Sequence, residues 1–210
     1  MNLLGGQQVD RTKIKICGLS RLCDIEYVNL AMPDYAGFVF WEQSRRNVSI
    51  KKAEKLSKAL DSSIKSVGVF VNAPFEKIIN LCDKNIIDII QLHGSEDNEY
   101  IAKLREYIPK KVIWKAYKVC SKEDLKAAES SAADVVLLDN GYGTGKCFDW
   151  SLIEEFTRPF ILAGGLTQEN ICDAIRKFQP YAVDISSGVE SEGVKDKEKI
   201  LTVVTTARNC

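Results

Sequence analysis

Two clusters of small residues carry the clearest chemical signal in this 210-residue chain: Gly164-Gly165 ahead of a helical segment, and Ser186-Ser187-Gly188 after the next apolar run. Glycine lets the backbone approach an anion closely, and hydroxyls and N–H groups donate to it without fixed charge. Together they describe a cradle for the phosphate of a small phosphorylated ligand. Cys17 closes the run K-I-K-I-C, and Asp139 closes V-V-L-L-D. A carboxylate ending an apolar strand is costly to bury unless it has a partner or a task. A thiol and a carboxyl brought to one phosphate would form a candidate acid–base pair. Arg45 and Arg46 offer planar forks suited to carboxylate or phosphate. In Q-L-H, alternation puts Gln91 and His93 on one face and Leu92 on the other.

These groups need elements to position them. Short Val-, Ile- and Phe-rich runs at 13–17, 35–40, 65–71, 87–92, 112–117, 134–139, 160–164 and 182–186 read as parallel strands buried on both faces. Amphipathic patterns at 21–32, 49–60, 74–84, 96–107, 121–130, 150–156, 168–178 and 195–207 predict helices between and after them. Helix starts are marked by Ser49, by Ser121 with Asp124, by Pro74, Asp149 and Thr167. Eight strand–helix units, without a G-x-G-x-x-G turn or a G-x-x-x-x-G-K-[ST] loop, predict a single compact (β/α)8 TIM barrel over 13–210. Residues 1–12 are expected to be a disordered extension.

In such a barrel the site lies at the carboxyl ends of the strands, with phosphate held after strands 7 and 8. Gly164-Gly165 and Ser186-Ser187 fall at those two loops. Strands 7 and 8 also separate strand 6, ending in Asp139, from strand 1, ending in Cys17. A ligand anchored between them extends towards both. The glycines of the loop 141–146 suit a cover over the site.

Composition removes other functions. The 29 basic and 29 acidic residues cancel, so nothing favours nucleic acid or an anionic membrane. One histidine cannot build the usual zinc hydrolase sets, and no metal or cofactor is expected. The seven cysteines form no C-x-x-C pair and read as mostly reduced, small hydrophobes in a cytoplasmic chain. No signal peptide or membrane span is expected. Outer amphipathic helices leave the oligomeric state open, with a monomer favoured.

K-I-C-G at 15–18, G-F-V-F at 37–40, S-x-R-x-V at 44–48, V-G-V-F-V-N at 67–72, Q-L-H-G at 91–94, L-L-D at 137–139, G-x-G-K-x-F-D-W at 143–150, G-G-L at 164–166 and V-D-I-S-S-G-V-E at 183–190 follow one another in order. This series resembles the phosphoribosylanthranilate isomerase family of tryptophan biosynthesis. The resemblance implies a cofactor-free Amadori rearrangement, with Asp139 as general acid and Cys17, as thiolate, as general base. It implies that Arg46 rather than Arg45 clamps the anthranilate carboxylate. Gly164, Gly165, Ser186 and Ser187 match phosphate donors, Asp184 matches an acidic residue near the sugar, and Gln91 and His93 are further candidate substrate contacts. Such chemistry needs a carboxyl raised, and a thiol lowered, from their ordinary pKa values. Three features depart from the family: a short loop at 140–147, Ala163 where serine is frequent, and residues 1–12 ahead of the first strand. The alternatives are another sugar-phosphate isomerase or epimerase on a phosphate-binding barrel, and a barrel that binds its ligand without turnover.

Overall fold

The computed structural model describes residues 11–139, 153 and 156–210. Its eight strands, β1 (Lys13–Cys17), β2 (Tyr35–Val39), β3 (Lys65–Phe70), β4 (Ile89–Leu92), β5 (Val112–Lys118), β6 (Val135–Asp139), β7 (Phe160–Ala163) and β8 (Ala182–Ile185), pair in sequence order and close into a parallel barrel. The closing pair sets Lys15 beside Asp184, and β1 meets β2 with Cys17 beside Gly37. Around it run α1 (Leu22–Ala31), α2 (Ile50–Ala59), α3 (Phe75–Asp83), α4 (Asn98–Tyr107), α5 (Lys122–Glu129), α6 (Ile171–Phe178) and α7 (Lys197–Arg208). The expected helix at 150–156, with Asp149 at its start, and the loop 140–147 lie outside the described residues, apart from Ile153 and Phe156.

Strand alternation sorts the side chains into two cores. Ile14, Ile16, Phe38, Ile90 and Leu138 belong to the mantle between barrel and helices. Tyr35, Val67, Trp114, Leu137 and Ile161 fill the interior, with Tyr35 edge-on to Trp114 at 5.0 Å. A further interior cluster is Cys17, Val39 and Val69. Counting by twos along each strand, Lys15, Cys17, Gln91, Asp139, Ala163 and Asp184 all share the interior side.

Helix starts follow side-chain chemistry, with three shifts from expectation. Ser49 accepts from the Lys52 N–H, and Ser121 forms a reciprocal capping box with Asp124. Pro74 is the residue before α3 rather than its first turn. Thr167 does not cap α6: turns occupy 168–170, and the Asn170 side chain instead accepts from the Thr167 N–H at 2.8 Å. The last helix starts at Lys197 with Asp196 as cap, because Lys195 is drawn into a hairpin of β9 (Glu190–Ser191) and β10 (Val194–Lys195). Gly193 turns that hairpin at φ +81°.

The expectation of reduced cysteines is corrected at one pair. Packing of α6 against α7 brings Cys172 and Cys210 to a Cα–Cα distance of 5.2 Å, and they form a disulfide across 38 residues. Cys17, Cys23, Cys82 and Cys120 are free. Of the expected extension, residues 1–10 lie outside the described residues. Arg11 pairs with Asp34 at 2.8 Å and Thr12 donates to the Pro180 carbonyl, both at the amino ends of strands. Among the described residues no helix is long and apolar enough to cross a membrane.

Candidate active site

Strand parity brings Cys17, Asp139 and Asp184 into one end of the barrel, and the loops that follow decide what surrounds them. Gly18 takes φ +82°, turning the chain sharply after Cys17. A Cβ there would collide with the Arg46 side chain, so the arginine lies directly across the turn. Gly164 and Gly165 both have positive φ, at +89° and +69°, a conformation that glycine adopts without strain. Ser187 opens a single 3-10 turn, Ser187–Val189. A Cβ on Gly188 would run into the Leu166 carbonyl, so the loop after β8 rests directly on the loop after β7. The Ser186 hydroxyl donates to the Cys17 carbonyl at 3.1 Å, joining the same loop to β1.

Asp139 has His93 as a neighbour: Nε2 lies 3.3 Å from Oδ2. The Gln91 amide nitrogen meets His93 Nδ1 at 2.9 Å. Gln91 donating to Nδ1 leaves the proton of a neutral imidazole on Nε2, directed at the carboxylate. Gln91 is itself buried, and its Oε1 has no hydrogen-bond partner among the described residues. His93 is therefore the half-buried end of a short polar chain that reaches the candidate acid.

Around Cys17 the charges are denser than the sequence reading anticipated. Lys15, fully buried, donates to Asp184 at 2.8 Å. Glu190 gathers three cations: Arg46 through Nε and Nη2 at 2.7 and 2.9 Å, Arg45 at 2.6 Å and Lys195 at 2.8 Å. Lys195 also donates to the Ser186 carbonyl at 2.7 Å. Arg46, expected to face a ligand carboxylate, is thus engaged by a carboxylate of its own chain, with Nη1 outside that pair. The preference for Arg46 over Arg45 agrees with burial, since their side chains are 20% and 59% exposed.

The thiol does not show the lowered pKa that a resting thiolate requires. Burial pushes Cys17 up; Lys15 and Lys195 pull it down, but Asp184 works against them. Burial would lower Lys15, yet Asp184 and Cys17 together hold it above its ordinary value. Glu190 is lowered because Arg46 and Lys195 outweigh its burial.

Sequence reasoning missed Lys15, Glu190 and Lys195. The signal for Lys15 was present: a lysine inside an otherwise apolar strand, on the same face as Cys17. Among the described residues no group of His, Cys, Asp and Glu is arranged to hold a metal ion.

The fold, and the thiol and carboxyl inside its carboxyl end, define the class: a (β/α)8-barrel enzyme. The family model described as N-(5'-phosphoribosyl)anthranilate (PRA) isomerase matches residues 14–206. The chain belongs to the N-(5'-phosphoribosyl)anthranilate isomerase family. It is 48% identical over 202 residues to the enzyme of that name from Endomicrobium trichonymphae, covering 94% of this chain and 98% of the relative. A relative from Caldanaerobacter subterraneus is 44% identical over 203 residues, covering 93% and 98%. The crystal structure of phosphoribosyl anthranilate isomerase from Thermotoga maritima superposes with a TM-score of 0.85 at 36% identity, covering 95% of this chain and all of that one. A second similar structure, at TM-score 0.83, 35% identity and the same coverage, is of phosphoribosyl anthranilate isomerase in complex with reduced 1-(o-carboxyphenylamino)-1-deoxyribulose 5-phosphate.

Proposed function

We propose that this chain converts N-(5'-phosphoribosyl)anthranilate to 1-(2-carboxyphenylamino)-1-deoxyribulose 5-phosphate, with Asp139 as general acid and Cys17 as general base. The observation that carries the assignment is their placement: both side chains enter the same end of the barrel, on strands separated only by β7 and β8. Phosphate is held by the loops at Gly164-Gly165 and Ser186-Ser187, whose packing through Gly188 makes them one surface. The ligand bound by the similar crystal structure, a reduced form of the product, supports a phosphorylated substrate of this kind.

Asp139 gives its proton to the furanose ring oxygen as the C1'–O bond breaks, and the anilino nitrogen lone pair forms the protonated Schiff base. Cys17 then takes the C2' proton, and the released pair forms the enolamine. Loss of the C2' hydroxyl proton and protonation at C1' give the ketone. Solvent exchange returns the proton from the thiol to the carboxylate. Arg46 takes the anthranilate carboxylate, Asp184 faces the sugar, and direct ligand contact from the Gln91–His93 pair falls to His93. Reaction in the cytoplasm fits this chemistry.

The test follows anthranilate fluorescence during turnover of freshly formed phosphoribosylanthranilate. The protein is expected to accelerate its decay above the spontaneous rate. Cys17→Ala and Asp139→Asn are expected to lose roughly a hundred-fold or more. Turnover at the wild-type rate in both variants would sink the acid–base assignment, and no acceleration by the wild type would sink the activity.

A further inference from the structure

Two features beside Cys17 are left unexplained by the steps above: the amine of a fully buried lysine, and a buried Asp184 oxygen without a hydrogen-bond partner among the described residues. Lys15 precedes Cys17 by two residues on β1, so both side chains enter the barrel on one face. They meet over Gly37, where an added Cβ would lie 2.8 Å from Cys17 Sγ and 3.2 Å from Lys15 Cε. Lys15 Nζ donates to Asp184 Oδ2 at 2.8 Å. Asp184 Oδ1 is buried and has no hydrogen bond among the described residues.

We propose that Lys15 is the positioning residue that makes Cys17 a base, and that Asp184 restrains it until a sugar hydroxyl donates to Oδ1. The proposal rests on the reading of Cys17 as base. With the thiol protonated, the Asp184 carboxylate and Lys15 ammonium cancel. Removing the thiol proton then leaves one net negative charge in a buried place, which burial opposes. This accounts for a thiol held above its ordinary value with a cation beside it. The other charged groups acting on Cys17 are Lys195 from β10 and Arg46 from the loop after β2, and Glu190 opposes both. Strand β2 faces it with Gly37 and Val39 and adds no charge. A ligand hydroxyl donating to Oδ1 draws negative charge off Asp184 and leaves the ammonium to the sulfur. The thiol is then inert alone and ionised in the complex.

Alkylation of Cys17 by iodoacetamide across pH tests this. The thiolate forms the S–C bond and iodide leaves. Mass spectrometry separates Cys17 from Cys23 and Cys120, which serve as internal controls. In Lys15→Met the Cys17 midpoint is expected to rise by about one pH unit or more, a ten-fold slower reaction below it, with both controls unmoved. In Asp184→Asn the sign reverses. The site then carries a net positive charge that ionisation cancels, so the midpoint falls by about one unit or more. An unmoved midpoint in folded Lys15→Met, or an unmoved or raised one in Asp184→Asn, overturns the proposal. Should Lys15→Met fail to fold by circular dichroism, Asp184→Asn decides. Wild-type turnover by Cys17→Ala would remove the base reading while leaving these midpoints as measured, so the two failures are distinguishable.

Discussion

Lys15 and Lys115 are both buried in the middle of barrel strands, yet they point to opposite sides of the sheet. Lys15 enters the interior and meets Asp184 at 2.8 Å. Lys115 lies between Trp114 and Ala116, which are interior, so it turns into the mantle. There it donates to the carbonyls of Gly94 and Ala116 at 2.7 and 3.0 Å, with Glu96 at 3.7 Å. Glu96 in turn accepts from the backbone N–H groups of Asn72 and Gly94 at 2.6 and 2.7 Å. The close carboxylate keeps Lys15 above its ordinary pKa, whereas burial pulls Lys115 below its own despite Glu96. A buried lysine is thus not one kind of object. Inside the barrel its charge acts on the Cys17 thiol; in the mantle its hydrogen bonds hold loops in shape.

The largest effect expected from breaking this contrast is in Lys15→Met, which strands Asp184 and should cost about 3–5 kcal/mol in denaturant unfolding, with turnover lost as well. Removing both charges, in Lys15→Met with Asp184→Leu, should recover most of that stability and none of the turnover. Recovery of both together would make Lys15 merely structural. Lys115→Met should cost less, about 1–3 kcal/mol, because Glu96, 3.7 Å away, keeps its two backbone N–H donors and only the two carbonyls lose theirs, with turnover within a few-fold of wild type.

The smallest effect is a difference in slope. A raised lysine gives stability that is full below the unfolded value of about 10.4 and is lost as pH rises through the folded value. A lowered one binds its proton more weakly when folded, so stability rises with pH between the folded value and about 10.4. The stability advantage of wild type over Lys115→Met should therefore grow as pH rises towards about 10.4, whereas the Lys15 ammonium itself adds no such rise. Parallel slopes would erase the distinction between the two sites.

Much of this was legible in the chain. Each strand run is continuous enough to be read without neighbours, and the eight-fold alternation leaves few topologies. Cys17 and Asp139 stand out because a reactive group ends an apolar run. Lys15 and Lys195 were passed over because lysine is ordinarily a surface residue, and only the register of β1 against β8 shows that Lys15 has a carboxylate beside it. Glu190 became visible only when the hairpin folded it back under Arg46. Thr167 and Asn170 are both good caps three residues apart, and local sequence does not rank them. The pairing of Cys172 with Cys210 depends on helix packing, which spacing does not encode.

That disulfide has a topological consequence. The segment between its cysteines contains β8, the Ser187–Val189 turn, the hairpin with Glu190 and Lys195, and α7. A protease that cuts once anywhere within it leaves two pieces still covalently joined. The strand that closes the barrel can therefore survive a nick as part of one molecule under oxidising conditions, and would be released as a separate peptide once the bond is reduced and the chain unfolds.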